Sequence, residues 1–71
     1  GAIRKTLQRY DAAILDFSKA IELEPRYVDA FFNRGLVFFL IDEVDQACND
    51  WEKAAEMGSS KATELLEKNC K

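Results

Sequence analysis

The residues able to do covalent or metal chemistry are few in this chain, and their spacing argues against catalysis. Histidine is absent from the 71 residues, which removes the commonest general base and the commonest metal ligand. Cys48 and Cys70 match neither a zinc-site spacing nor a Cys-x-x-Cys redox pair. No glycine loop of the phosphate-cradling kind occurs, and no serine sits in a nucleophile-elbow context. Carboxylates are plentiful, but they fall on outward-looking helix positions rather than as a facing acid–base pair. The expectation is a chain with no catalytic residue, no metal site and no cofactor, and hence not an enzyme.

One feature with chemical potential remains. Arg34 lies inside a strongly apolar stretch, where a guanidinium needs carboxylate partners. What it does depends on the elements that position it.

Those elements announce themselves through a 34-residue echo. Asp11, Ala13, Asp16, Lys19, Ala20 and Glu22 recur as Asp45, Ala47, Asp50, Lys53, Ala54 and Glu56. Phe17 is answered by Trp51, Leu23 by Met57 and Gly1 by Gly35. A fixed period of this length marks a helix-turn-helix solenoid, an architecture that builds recognition surfaces. Helical spacing dominates, with no stretch of strand-like alternation. Gly1 to Leu7 reads as a short helix or as the tail of a longer one. From position 11 to 24, Ala13, Ile14, Phe17, Ala20 and Ile21 form one buried stripe. Pro25 ends that helix, because it lacks an amide donor and pushes its predecessor towards extended geometry. Further helices are expected near 28–41, 44–57 and 60–70, with a tight turn at Asp42-Glu43. Gly58 is the natural left-handed stop, and Ser59 or Ser60 the next cap. Connections this short force antiparallel packing, so the fold class is all-α, a stack of helical hairpins.

Composition sets outer bounds. A chain this short buries roughly 60% of the surface it exposes when unfolded, so it holds one domain with a thin stability margin. No run approaches about 18 consecutive apolar residues, so no membrane span is expected. No signal peptide is visible, and the Gly-Ala start in place of Met suggests a fragment, a processed product or an expression scar. The net charge of −3 and pI near 4.8 argue against a nucleic-acid partner. The local basic cluster Arg4, Lys5 and Arg9 reads as a solvated helix face. Nothing in the residues indicates a compartment.

Taken together, the residues resemble the tetratricopeptide repeat (TPR) family. Tyr10 to Pro25 resembles the second helix and closing proline of one repeat, and Ala30 to Phe38 the first helix of the next. Gly35 and Ala47 stand at the family's small-residue crossing, while Trp51 and Ala54 fit its second helix. Ser60 to Lys71 resembles the solvating helix that closes such arrays. The implied division is 1–27 as a partial first repeat, 28–58 as a second repeat and 59–71 as a capping helix. The pattern departs from the family at Gln8 and Asp42, where a turn glycine is common, and at Gly58-Ser59-Ser60, which replaces a closing proline. The front half of the first helix of the first repeat is also missing.

The resemblance implies a scaffold that binds a peptide or protein through a concave groove lined by the first helix of each repeat. Carried over position by position, the groove residues are Asp29, Phe32, Asn33, Leu36, Phe39 and Leu40. Helical spacing supports this independently. Ten of the fourteen residues from Val28 to Ile41 are apolar, too many for a single buried stripe. Asn33 matches an asparagine that, in chaperone-binding members, helps hold a terminal carboxylate. The closing helix offers Glu64 and Glu67 instead of the basic residues such a clamp needs, so a structural role or a plain peptide contact is expected of Asn33. The alternative function is structural: the apolar stripe buries against a second copy, as a homodimer, or against the rest of a longer chain. Apolar residues around Ile3 and Leu7 at an incompletely capped solenoid end favour self-association.

Arg34 is expected to act as a structural staple, with Asp50 opposite it in the hairpin and Asp16 near it on the preceding helix. Phe17, Ala20, Gly35, Phe38, Ala47, Trp51 and Ala54 are expected in the core, with Phe32 and Leu36 lining the groove. Cys48 and Cys70 fall at equal height on the last hairpin. Both a disulfide and two separate thiols stay open at this point, since nothing signals an oxidising compartment.

Overall fold

The computed structural model describes the backbone of residues 2–70 and the side chains of residues 9–70. Expectations that rest on Gly1, or on the side chains of Ile3, Arg4, Lys5 and Leu7, lie outside the described residues. Four helices follow in order, α1 (Ala2–Leu23), α2 (Val28–Leu40), α3 (Val44–Glu56) and α4 (Ser60–Asn69). No strand occurs among the described residues. Each helix packs on its chain neighbour, α1 on α2, α2 on α3 and α3 on α4.

One boundary differs from the sequence reading. The break expected near Gln8 does not form, and α1 runs unbroken for 22 residues. Residues 2–23 contain neither glycine nor proline, so nothing there interrupts the amide ladder or favours a left-handed exit. α1 ends where Pro25 requires it to, with the amides of Glu24 and Tyr27 donating to the carbonyls of Ala20 and Glu24.

The next two turns share one solution. After α2, the amides of Asp42 and Glu43 donate to the carbonyls of Phe39 and Phe38, and Asp42 takes a left-handed φ of 66°. After α3, the amides of Gly58 and Ser59 donate to Ala55 and Ala54, with Gly58 at φ 103°. Both are Schellman closures, which satisfy the last carbonyls of a helix through one left-handed residue. Aspartate tolerates that conformation better than most side chains, so Asp42 forms the corner without glycine.

Ser59 closes α3 and opens α4, since its side-chain oxygen accepts from the Ala62 amide at 3.2 Å. Ser59→Ala should therefore cost about 0.5–2 kcal/mol in denaturant unfolding. An unchanged midpoint would mean that water replaces the cap without loss.

The core is centred on α3. Phe31, Ala47, Trp51, Ala54 and Ala62 are buried together, with Ile21, Val28, Phe32, Leu36, Phe38, Leu65 and Leu66 packed around them. Gly35, Ala47, Trp51 and Ala54 are buried as the spacing predicts. Phe17, Ala20 and Phe38 are only half-buried, which corrects their assignment to the core. α1 packs chiefly on α2, so the residues along that contact keep one side open. Phe31, Ala30, Ala62 and Asp50 are buried in addition.

Candidate protein-interaction surface

Arg34 shows how α2 is fixed in place. Its Nε and Nη2 donate to the two carboxylate oxygens of Asp50, both at 2.7 Å. Its Nη1 donates to the Ser18 hydroxyl at 3.0 Å, and the guanidinium lies 5.5 Å from the ring centre of Phe31 and 5.9 Å from that of Phe38. A planar fork facing a carboxylate in this way is a strong, directional hydrogen-bond pair. Asp50 raises the Arg34 pKa above its ordinary value, chiefly through the side-chain hydrogen bonds; burial works against this, and the attraction between the two charges adds to it. One side chain thus joins α1, α2 and α3. The expected Asp50 contact is present, whereas Asp16 is exposed and Ser18 takes the α1 side. Ser18 lies two residues further along α1, on a different face of the helix.

With α2 held, its remaining residues sort by face. Asp29, Phe32, Asn33, Leu36, Phe39 and Leu40 follow three-and-four spacing and share one side. Asp29, Asn33, Phe39 and Leu40 are exposed, whereas Phe32 and Leu36 are half-buried against the core. The Phe39 ring lies 5.7 Å from that of Trp51, tilted by 39°. The Trp51 indole N–H donates to the Phe32 carbonyl at 3.3 Å, so the apolar floor of this face is pinned to the core beneath it. At its N-terminal end an open depression of about 500 Å³ joins the face at Asp29, lined also by Leu23, Tyr27 and Val28. Leu23 is 88% exposed and Tyr27 45%. Sequence reading missed both. The available signal was Leu23 itself, a large apolar residue off the buried stripe of α1.

A family model described as TPR repeat matches residues 1–42, more than half of the chain. The chain belongs to the tetratricopeptide repeat family. TPR repeats form a non-catalytic helical scaffold that mediates protein–protein interaction, and the all-α stack described above is of that kind. Human DnaJ homolog subfamily C member 7 is 28% identical over 69 residues, 97% of this chain. The match spans 14% of that relative's length. No solved structure matches significantly.

Arg34 and Asp50 tie α2 to α3, and this pairing already occupies the guanidinium's Nε and Nη2 donors. Glu67 stands one 34-residue period after Asn33 and is exposed, as is Glu64. No group of three or more metal-ligating side chains, and no helix long and apolar enough to cross a membrane, occurs among the described residues.

Proposed function

We propose that the chain is a recognition module whose α2 face binds a peptide or protein segment carrying apolar side chains spaced by cationic ones. The observation behind this is the exposure of Phe39 and Leu40 beside half-buried Phe32 and Leu36 on a single helix face. Apolar groups left open next to a packed core provide a contact whose desolvation favours binding. Charge supports the partner's chemistry. Arg34 is the sole cation of α2 and is occupied by Asp50. The adjoining depression carries Glu24 and Asp29 against Arg26, and Glu67, one 34-residue period after Asn33, is exposed, so these groups together are net negative. Asn33 serves as a polar contact for the segment's backbone.

The test compares two twelve-residue peptides of identical Leu/Phe pattern, one with lysine and one with glutamate spacers, followed through fluorescence of Trp51. The lysine peptide should bind more tightly, and Phe39→Ser should weaken it about tenfold. Equal binding of both peptides, or an unaffected Phe39→Ser variant, would count against the groove. Self-association is the second reading, favoured by Leu15 at 63%, Leu23 at 88% and Leu40 at 63% exposure. Sedimentation equilibrium separates the two: a mass that doubles with concentration, and is restored to monomer by Leu40→Ser, favours assembly.

A further inference from the structure

Cys48 lies in the second turn of α3, and Cys70 is the C-cap residue of α4. Their sulfurs are bonded, with Cα atoms 5.9 Å apart across 22 residues of sequence. The bond ties the end of α4 back to α3. The rest of α4 is held by Ala62, Leu65 and Leu66, which pack into the core. Beyond Leu66 the side chains of Glu67, Lys68 and Asn69 are exposed, and Cys70 is the next residue to turn inwards. A ten-residue helix is too short to persist on its own propensity. Its last turn therefore depends on this link.

The link is also within reach of solvent. Both cysteines are half-buried, and they line an open depression with Val44, Asp45, Asn49 and Asn69. A small thiol entering there meets polar walls and the two sulfurs.

We propose that Cys48–Cys70 is a thiol–disulfide exchange site, opened by a dithiol reductant, that locks and releases the last turn of α4. A reductant thiolate attacks Sγ of Cys70, forming a mixed disulfide as the Cys48–Cys70 bond breaks. Cys48 leaves as a thiolate and takes a proton from water. Cys70 lies at the helix C-terminus, where the dipole disfavours negative charge, so Cys48 is the better leaving group. The second thiol of the reductant then displaces Cys70, which is also protonated. The products are two protein thiols and an oxidised, cyclic reductant, a balanced two-electron exchange. Oxidation by a disulfide reagent reverses it. Leu66 and Cys70 stand one period after Phe32 and Leu36, so on the groove reading proposed above, opening the bond also loosens the groove's second wall.

Dithiothreitol is the probe, with alkylation and amide hydrogen exchange as readouts on the whole chain. Non-reduced protein should take up no alkylating label, and reduced protein two. On reduction, amides of residues 64–70 should exchange at least about tenfold faster, while those of 30–54 change less than about threefold. Oxidised glutathione should restore the protection. Two labels on non-reduced protein, unchanged exchange in α4, equal loosening of the whole chain, or failure to re-form the bond would each overturn the proposal. The Cys48→Ser/Cys70→Ser variant should match the reduced state; if it does not fold, the wild-type comparison still decides. Peptide affinity, read separately, should fall on reduction. Absence of peptide binding in both states rejects the groove and leaves the exchange data to judge the lock.

Discussion

Replacing Asp50 with alanine should remove about 1–3 kcal/mol of stability, the cost of leaving the half-buried Arg34 guanidinium without its charged partner. A chain of this length has roughly 4–10 kcal/mol in total, so the loss is a large fraction of its margin and lowers the urea midpoint accordingly. Asp50 is 4% exposed, and both its oxygens are taken by Arg34 at 2.7 Å. Without it the guanidinium keeps only the Ser18 hydroxyl and the faces of Phe31 and Phe38. Those rings attract a cation by about 0.5–2 kcal/mol, too little to offset its lost hydration. Removing both charges tells the pair's net worth from the penalty of stranding one. Arg34→Met/Asp50→Leu should be markedly more stable than Asp50→Ala, because a well-packed apolar pair avoids the desolvation cost. The pH dependence has a definite sign. A guanidinium whose pKa is raised on folding contributes its stability fully below the unfolded value and loses it only as pH climbs through the folded one. Its contribution should therefore stay flat between about pH 7 and 10. Urea unfolding checks all three statements, and a loss below about 1 kcal/mol for Asp50→Ala would show that water, not burial, surrounds the pair.

Where this staple was readable in the sequence, and where it was not, marks a physical boundary. An arginine inside an apolar helix demands a carboxylate, and antiparallel register places Asp50 at the right height. Which face of α1 meets it depends on helix rotation, so Asp16 was a plausible neighbour by charge, and Ser18 makes the contact. The boundaries of α2, α3 and α4 were legible because Pro25, Gly58 and Ser59 are local punctuation with local causes. The continuity of α1 through Gln8 was not, because the expected turn came from the repeat pattern while the residues themselves contain no stop. Half-burial of Phe17, Ala20 and Phe38 depends on how much of α1 a neighbour covers, which periodicity within one helix does not specify. The α2 face was legible as a surplus of apolar residues. Its extension over Leu23 and Tyr27 comes from the corner between two helices, which neither helix encodes alone. Cys48 and Cys70 could be placed at one height by counting from Gly58. Whether two facing side chains close a bond turns on their direction, which height leaves free.

The second large effect is expected at the crossing of α2 and α3, where Gly35 meets Trp51. A Cβ added to Gly35 would lie 2.5 Å from the indole Nε1 and 2.7 Å from Cδ1. Contacts that short are not tolerated, and the ring has nowhere to go. Trp51 is 1% exposed, and its N–H is bonded to the Phe32 carbonyl at 3.3 Å. Gly35→Ala would gain about 0.8–1 kcal/mol of helix propensity in open space. Here overpacking should reverse the sign and cost about 1–3 kcal/mol net, with Gly35→Leu worse. Trp51→Ala attacks the same contact from the other side and should lose about 3–5 kcal/mol, because a large buried ring leaves a cavity. The two sites are in contact, so their effects should not add. In a Trp51→Leu background the flexible side chain can turn aside, and Gly35→Ala should then be neutral or stabilising. A cycle of the four proteins in guanidinium unfolding measures this coupling, expected at about 1–3 kcal/mol. If Gly35→Ala costs as much in the Trp51→Leu background as it does beside Trp51, the close approach is set by backbone against backbone rather than by the ring. The α2–α3 crossing would then be tighter than its side chains imply.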